Sequence, residues 1–476
     1  MSKRKLLLTY PNLRWQKEDM GTTWNLNPAT LCLLAAMVRG FVDVKIVDAQ
    51  FQNLSREDFR HEIEKYEPDY VGISILTSEY RDTLDVASEI VKSVNSNITV
   101  IAGGVHVTTM YEYVMKNNNI DFGVIGEGEY VLQDLIKFLN GDGEFPTEGL
   151  VYRKGDTLEV QNRAIIHDLK SLPWPAYDLI DFNAYTMTNP RDFNPQRPPE
   201  SPYVRMVTTR GCPFGCVFCQ VDLISGKSVR SRDPYDVVKE IEFLKEQYGI
   251  RSVIFDDDNI LMAGDDYCKK LFTVMIERKI NIRWIGIAFA LFLLTDELLD
   301  LMKESGCVGI NVAIESGNTR VLKQIVKKPI KNLGKVPELI DKIRKRGLYC
   351  IANFIIGFPG ETWDEIRETI DFAEKCGADY IKIFVAVPLY KTKLYQMALN
   401  LGVLECDNEF PEIDWRYGKI RSNEWTSKDI SILRAYEWDR INFNNSERID
   451  KLIKMTGLTR DELKVIRKKT RDNLIL

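Results

Sequence analysis

Histidine is nearly absent from this 476-residue chain, which has only His61, His106 and His167. All three lie far upstream of the chain's cysteine cluster, so none is well placed by sequence to complete a metal site there. Long apolar runs are missing too. The longest, "IGIAFALFLL" at 285–294, is about half the roughly 20 residues that span a bilayer. The opening "MSKRKLLLTYPN" has few apolar residues before Pro11 and reads as a first strand, not as an export signal. A cytoplasmic protein without a transmembrane segment is expected. A basic surplus is also lacking: 64 Lys and Arg against 69 Asp and Glu give −5, which argues against nucleic-acid binding by bulk electrostatics. The one clearly basic run, "KVIRKKTRDNLIL", reads as a solvated helix face. Nine cysteines, an odd number and mostly scattered, do not make a disulfide framework, and a reducing compartment keeps them as thiols. No internal repeat or low-complexity tract occurs.

Apolar residues at 45% and charged residues at 28% describe a chain folded nearly throughout, and its length exceeds what one hydrophobic core serves. The fold class is α/β. Residues 1–140 alternate strand-like runs ("KLLLTY", "DVKIVDA", "YVGISIL", "ITVIAGG", "DFGVIGE") with helical ones, which predicts a doubly wound parallel sheet. Residues 141–200 read as a linker with a hairpin-like "GLVYRKGDTLEVQNRAII" and a proline-rich tail. From 201 to 400, "YVRMVT", "SVIFDD", "NIRWIGI", "VGINVAI", "YCIANFIIG" and "YIKIFVAV" are each followed by a helical pattern, which predicts a partial (β/α)6 barrel with its site at the carboxyl ends of the strands. Residues 401–476 are predicted to form a helical extension, whose aromatics Trp415, Tyr417, Trp425, Tyr436 and Trp438 read as core more readily than as a cover that closes the pocket.

The chemistry concentrates in "TTRGCPFGCVFCQ", residues 208–220, directly after the first barrel strand. Three readings of Cys212, Cys216 and Cys219 stand: chance, a structural zinc, and an iron–sulfur cluster with one open iron. Zinc needs a fourth ligand, and no histidine is well placed by sequence. Soft thiolates in a C-x3-C-x2-C loop suit a cluster, and the spacing, the aromatic insertion and the barrel context favour it. The vacancy left by the missing fourth thiol suits a cluster that must bind something else.

This loop resembles the signature of the radical S-adenosylmethionine (SAM) superfamily. The resemblance implies a [4Fe-4S] cluster on Cys212, Cys216 and Cys219, with SAM on the fourth iron and cleaved to a 5′-deoxyadenosyl radical, electrons coming from a donor such as flavodoxin or ferredoxin. It places Phe218 near the adenine. "VAIESGNTRVLKQIVKK" resembles the fourth-strand segment, which sets Glu315 toward the ribose, and "NFIIGFPGETWDE" resembles the fifth, with Gly357 and Gly360 permitting close backbone approach. Glu361 is expected to cap the following helix. The chain departs from the pattern at "FDDDN", where Asp256, Asp257 and Asp258 replace the usual Gly-Gly-Glu. Asp256 is the candidate for the SAM amino group, and a helix-approach loop or a Mg²⁺ site are the other readings of the triplet. Lys391 stands where relatives commonly carry glycine, and "IAFALFLLTDELL" lacks an expected arginine, which suggests a more apolar pocket.

The first domain resembles the cobalamin-binding domain that precedes the barrel in one large class of these enzymes, the class B methyltransferases. In that class the corrinoid lies between sheet and barrel. No Asp-x-His-x-x-Gly signature is present, and His106 is expected in a surface or turn role. Leu76 is the candidate for the lower face of cobalt, with Thr77, Ser78, Gly103 and Gly104 as candidates for the nucleotide tail. The class implies two uses of SAM, one methylating cobalamin and one generating the radical that activates an unactivated substrate carbon, less readily a phosphinate phosphorus. The alternative is radical cyclisation, oxidation or C–C bond formation without methyl transfer. The substrate is expected to be a small molecule or a lipid.

Overall fold

A computed structural model describes residues 3–16, 27–75, 81–186, 200–405 and 417–472. Leu76, Thr77, Ser78 and Trp415 lie outside the described residues. The chain forms two compact units, Met1–Tyr185 with Leu223–Gly226, and Thr186–Asp222 with Lys227–Leu476.

In the first unit, β1 (Lys5–Tyr10), α1 (Ala29–Val38), β2 (Asp43–Asp48), α2 (Arg56–Tyr66), β3 (Tyr70–Ser74), α3 (Arg81–Val94), β4 (Thr99–Gly103), α4 (Val105–Val114), β5 (Phe122–Val124) and α5 (Glu129–Leu139) alternate in sequence. The sheet order is β2-β1-β3-β4-β5, all parallel. Such order reverses direction between β1 and β3, where doubly wound sheets bind ligands. Successive residues of β1 serve opposite faces: Leu7 joins Phe59, Val71 and Ile73 on one side, while Leu6 and Leu8 join Leu31, Val38 and Leu135 on the other. A strand buried on both faces reads as a continuous apolar run, as "LLL" does. Helix α2 begins at a capping box, with Ser55 Oγ accepting from Asp58 N and the Asp58 carboxylate accepting from Ser55 N. The hairpin β6 (Leu150–Lys154) and β7 (Thr157–Val160), expected in the linker, extends this sheet antiparallel beyond β5. The short α6 (Phe182–Thr186) follows. Tyr185 donates its hydroxyl to buried Asp48 (3.1 Å) and stacks on Phe51, which ties residues far past the sheet back to β2.

In the second unit, β8 (Tyr203–Met206) leads into β9 (Thr209–Arg210) and, past the short α7 (Val221–Ile224) whose last two residues count with the first unit, into β10 (Arg230–Ser231) and α8 (Pro234–Tyr248). Then β11 (Ser252–Phe255), α9 (Asp265–Glu277), β12 (Arg283–Phe289), α10 (Asp296–Glu304), β13 (Cys307–Glu315), α11 (Val336–Lys345), β14 (Tyr349–Ile356), α12 (Trp363–Lys375), β15 (Tyr380–Val385) and α13 (Lys393–Asn400) complete the alternation. The main sheet is fully parallel in the order β8-β11-β12-β13-β14-β15. Order in space equals order in sequence, which is what a partial barrel requires. Its helix-facing residues are the most buried: Trp284 lies between Phe272 (5.0 Å, stacked) and Phe255 (5.3 Å).

The C-terminal helices α14 (Ser427–Phe443), α15 (Ser446–Thr456) and α16 (Arg460–Asp472) pack Trp438, Phe443, Leu452 and Leu463 against Ile351 and Tyr380. Asn442 closes the outer edge of β15, accepting from Ile381 N and donating to Ile381 O, both at 2.9 Å. An edge strand loses its pairing sites this way. Trp425 and Trp438 are core, as expected; Tyr436 is not, at 63% exposure. No described helix is long and apolar enough to cross a membrane.

Candidate active site

The acidic triplet holds the start of the cysteine loop. Asp257, on the turn after β11, accepts at one oxygen from Thr208 N (2.8 Å), Thr208 Oγ1 (2.9 Å), Thr209 Oγ1 (2.8 Å) and Thr209 N. Burial pushes its carboxyl up to about 6, against the pull of those four donors. Asp258 accepts from Gly211 N (2.9 Å), where the backbone has φ +91°. Asp256 pairs with Arg205 of β8 and is nearly buried. The triplet is therefore a bracket between β8 and β11, and it is engaged within the protein. An Mg²⁺ site is not what the geometry supports: among the described residues no three His, Cys, Asp or Glu side chains converge as a ready-made metal site.

The same statement applies to Cys212, Cys216 and Cys219, which share the loop without their sulfurs meeting at one point. They nevertheless differ from every other described cysteine. Cys32, Cys268, Cys307, Cys350 and Cys376 are buried, whereas these three are partly exposed. Each has a thiol pushed up by burial, Cys219 to about 12, and Lys328 pulls Cys212 and Cys216 back down. The loop backbone is pinned at its centre: Val217 N donates to Val326 O (3.1 Å) and Val217 O accepts from Leu394 N (2.8 Å). Gln220 Nε2 donates to Tyr390 O (2.9 Å). The thiols can thus turn on a fixed backbone, and a soft, partly exposed three-sulfur donor set fits an iron–sulfur cluster.

Glu315 ends β13 at a register shift, with φ +74°, 5% exposed, and accepts from Lys328 Nζ at 3.0 Å. A left-handed glutamate is rare, and such backbone persists where its surroundings over-determine it. Sequence reading missed Lys328. In "VKK" it looks like solvated charge, yet Lys327 at φ +62° ends a π-helical turn over Val321–Val326 and sends Lys328 inward. Only the turn geometry carries that signal.

Phe218 packs toward Phe358, ring centroids 6.2 Å apart. Gly357 has φ +85°, and a Cβ there would lie 2.8 Å from Ile430 of α14, so its close neighbour is a side chain of this protein. Glu361 does not cap α12. Thr362 and Glu365 form that capping box, while Glu361 reaches back to accept from Gly357 N (2.8 Å) and Phe358 N (2.9 Å). Lys391 has φ +62°, the conformation for which glycine is the usual residue. Phe292, 36% exposed, faces Phe214 of the cysteine loop at 5.7 Å, which makes the side lacking the expected arginine apolar.

Burial pushes Glu361 up to about 8, and its second oxygen has no hydrogen-bond partner among the described residues. An unfolded glutamate loses its proton near 4.5, so between that pH and about 8 the folded state binds more protons than the unfolded. Stability therefore falls as pH rises across that window, Asp257 adding to the fall up to about 6. In denaturant midpoints measured against pH, Glu361→Gln flattens the slope; an unchanged slope contradicts this account.

In the first unit, Gly103 and Gly104 lie where β4 meets α4. Gly104 has φ +97°, and a Cβ on it would lie 2.4 Å from Ile75 O. His106, expected in a surface or turn role, stands in the first turn of α4 and is fully buried, edge-on to Tyr113 at 6.4 Å.

Comparison with known proteins agrees with this two-part architecture. The Radical SAM superfamily model matches residues 206–373 and the B12 binding domain model matches residues 25–136. An uncharacterized methyltransferase of Pyrococcus horikoshii is 33% identical over 451 residues, 92% of each chain. Cytidylyl-2-hydroxyethylphosphonate methyltransferase of Streptomyces wedmorensis is 28% identical over 438 residues, 85% of this chain and 81% of that one. Among solved structures, the radical SAM methyltransferase TsrM from Kitasatospora setae, with cobalamin and a [4Fe-4S] cluster bound, superposes with TM-score 0.70 at 18% identity, over 86% of this chain and 82% of that one. The chain belongs to the cobalamin-dependent radical SAM methyltransferases.

Proposed function

We propose that this enzyme methylates an unactivated carbon of a small molecule, with Cys212, Cys216 and Cys219 as its cluster ligands. The observation that carries the reading is the contrast among the cysteines: three partly exposed thiols on a pinned loop after β8, the other described ones buried. When bound, the cluster with SAM supplies a 5′-deoxyadenosyl radical and cobalamin carries the methyl group. The protein's part is positional. Asp257 and Asp258 fix the loop against β11, and Glu315, held by Lys328, presents a buried carboxylate suited to ribose hydroxyls. Phe218 supplies an aromatic face for the adenine and Gly357 a backbone free of Cβ, while Asp256 is held by Arg205. Phe214 and Phe292 give the cysteine loop an apolar neighbour. In the first unit, the β3 and β4 loops, with Leu76, Thr77, Ser78, Gly103 and Gly104, hold the corrinoid. Electrons come from a flavodoxin- or ferredoxin-like donor, in a cytoplasmic setting. Spectra of anaerobically reconstituted protein after desalting test the reading. Retained corrinoid absorbance together with iron–sulfur absorbance is expected, and a protein that keeps iron but no corrinoid contradicts methyl transfer.

A further inference from the structure

The concave face of the second unit carries three polar side chains that no structural role consumes. Strand alternation assigns the faces. Phe354 of β14 meets Phe372 of α12 at 6.3 Å, so Phe354 and its even-numbered neighbours Cys350, Ala352 and Ile356 face the helical layer and are fully buried. Asn353 points the other way. Across the ladder it is in register with Lys382 of β15, and with Ala313 of β13, two residues after Asn311. On the same face Tyr380 lies at the inner end of β15, covered by Trp438, while Phe384 at the carboxyl end is 36% exposed. Lys382 thus sits between a closed floor and an open rim.

Among the described residues Lys382 has no hydrogen-bond acceptor and no ion-pair partner. Burial alone lowers its amine, to about 8, with no charged neighbour contributing. The side-chain oxygens of Asn311, 2% exposed, and of Asn353 are buried without a donor. One such group costs stability; three on adjacent strands, around one point of the site face, are costly unless something binds them. Strands lie about 4.8 Å apart, so Lys382 and Asn353 are one spacing apart and Asn311 lies a further spacing and two residues off, a span bridged by the reach of the lysine side chain together with a headgroup and its neighbouring hydroxyl. A lysine lacking an acceptor calls for an anion, and amide oxygens lacking donors call for hydroxyl or amine hydrogens beside it.

We propose that Lys382, Asn353 and Asn311 form the substrate anchor, taking an anionic headgroup, carboxylate or phosphorus oxyanion, that bears a neighbouring hydroxyl or amine. This rests on the methyl-transfer reading, since it names that reaction's substrate class. The anchor holds the anion near the floor of the sheet and leaves the carbon chain directed at the carboxyl ends of the strands.

The test uses the full-length reconstituted enzyme and three probes, glycerol 1-phosphate, lactate and uncharged glycerol, titrated calorimetrically, with SAM titrated separately. At least one anion binds and glycerol does not; the two anions separate the phosphorus and carboxylate forms. Lys382→Met weakens that binding roughly ten- to a hundredfold, the loss of one charge-assisted hydrogen bond, while SAM affinity stays the same. Because the variant removes an unpartnered amine, its melting temperature is equal or higher. The proposal is overturned if neither anion binds at millimolar concentration, if the Met variant binds as well as the parent, if SAM affinity falls in parallel, or if the variant loses stability as a merely structural lysine would. An enzyme that moves methyl groups but ignores both anions sinks the anchor alone. Failure to assemble cluster or corrinoid sinks the functional reading instead.

Discussion

Cys216→Ala abolishes iron binding and lowers SAM cleavage by at least about a thousandfold, some 4 kcal/mol of barrier at 1.4 kcal/mol per factor of ten, while leaving the fold in place. The loop does not depend on this thiol. Its conformation is set by Val217 pairing with Val326 and Leu394, by Asp257 gathering Thr208 and Thr209, and by Asp258 on Gly211. Removing a partly exposed sulfur therefore subtracts a ligand and little packing. Cys268→Ala is the contrasting control: that thiol, on the buried face of α9, is fully buried and donates to Ile260 O at 3.5 Å. Its loss costs about 1 kcal/mol of core stability and leaves iron content unchanged. Iron analysis and 5′-deoxyadenosine formation distinguish the two. Full iron in the Cys216 variant, or iron loss in the Cys268 variant, contradicts the assignment.

Gly104→Val destabilises the first unit by roughly 3 kcal/mol or more and removes corrinoid retention, while iron content stays the same. Two costs add. The backbone at φ +97° is one that L side chains rarely adopt, and the new Cβ would lie 2.4 Å from Ile75 O and 3.1 Å from Ile75 N. Neither atom can yield cheaply, because Ile75 N donates to Gly103 O (3.0 Å) and Ile75 O accepts from His106 N (3.3 Å). The strand-end crossing of β3 and β4 is therefore closed to any side chain. Gly103→Ala is mild, since its Cβ would meet Val124 Cβ at 3.7 Å, an ordinary contact. Corrinoid absorbance after desalting and the denaturant midpoint report the outcome. A Gly104 variant that keeps both overturns the account of this turn.

Periodicity made both sheets legible in the sequence, because strands buried on two faces, such as "KLLLTY" and "YCIANFIIG", leave apolar runs bounded by turns and helices. The three cysteines stand out in the sequence for a different reason, their spacing, and in the structure by their partial exposure. What stayed hidden depends on which way one residue turns. Lys328 reads as surface charge until a left-handed Lys327 turns the chain inward. Glu361 reads as a cap because it precedes a helix, but the adjacent Thr362 with Glu365 satisfies that helix start better. His106 reads as a turn residue, yet α4 begins at Gly104 and buries it. The acids in "FDDDN" read as ligands or as a helix-approach loop, and the donors that engage Asp257 and Asp258, namely Thr208, Thr209 and Gly211, are almost fifty positions away. Hairpin β6–β7 read as linker because two short strands alone do not reveal the sheet edge they extend.

One protein both cleaves SAM and passes its methyl group through cobalamin. Anaerobic incubation of the reconstituted enzyme with SAM labelled as CD3, under reducing conditions, tests it most directly when 5′-deoxyadenosine and the corrinoid are analysed together. The expected products are 5′-deoxyadenosine together with corrinoid carrying the CD3 label. Formation of 5′-deoxyadenosine with corrinoid that never acquires the label would contradict it.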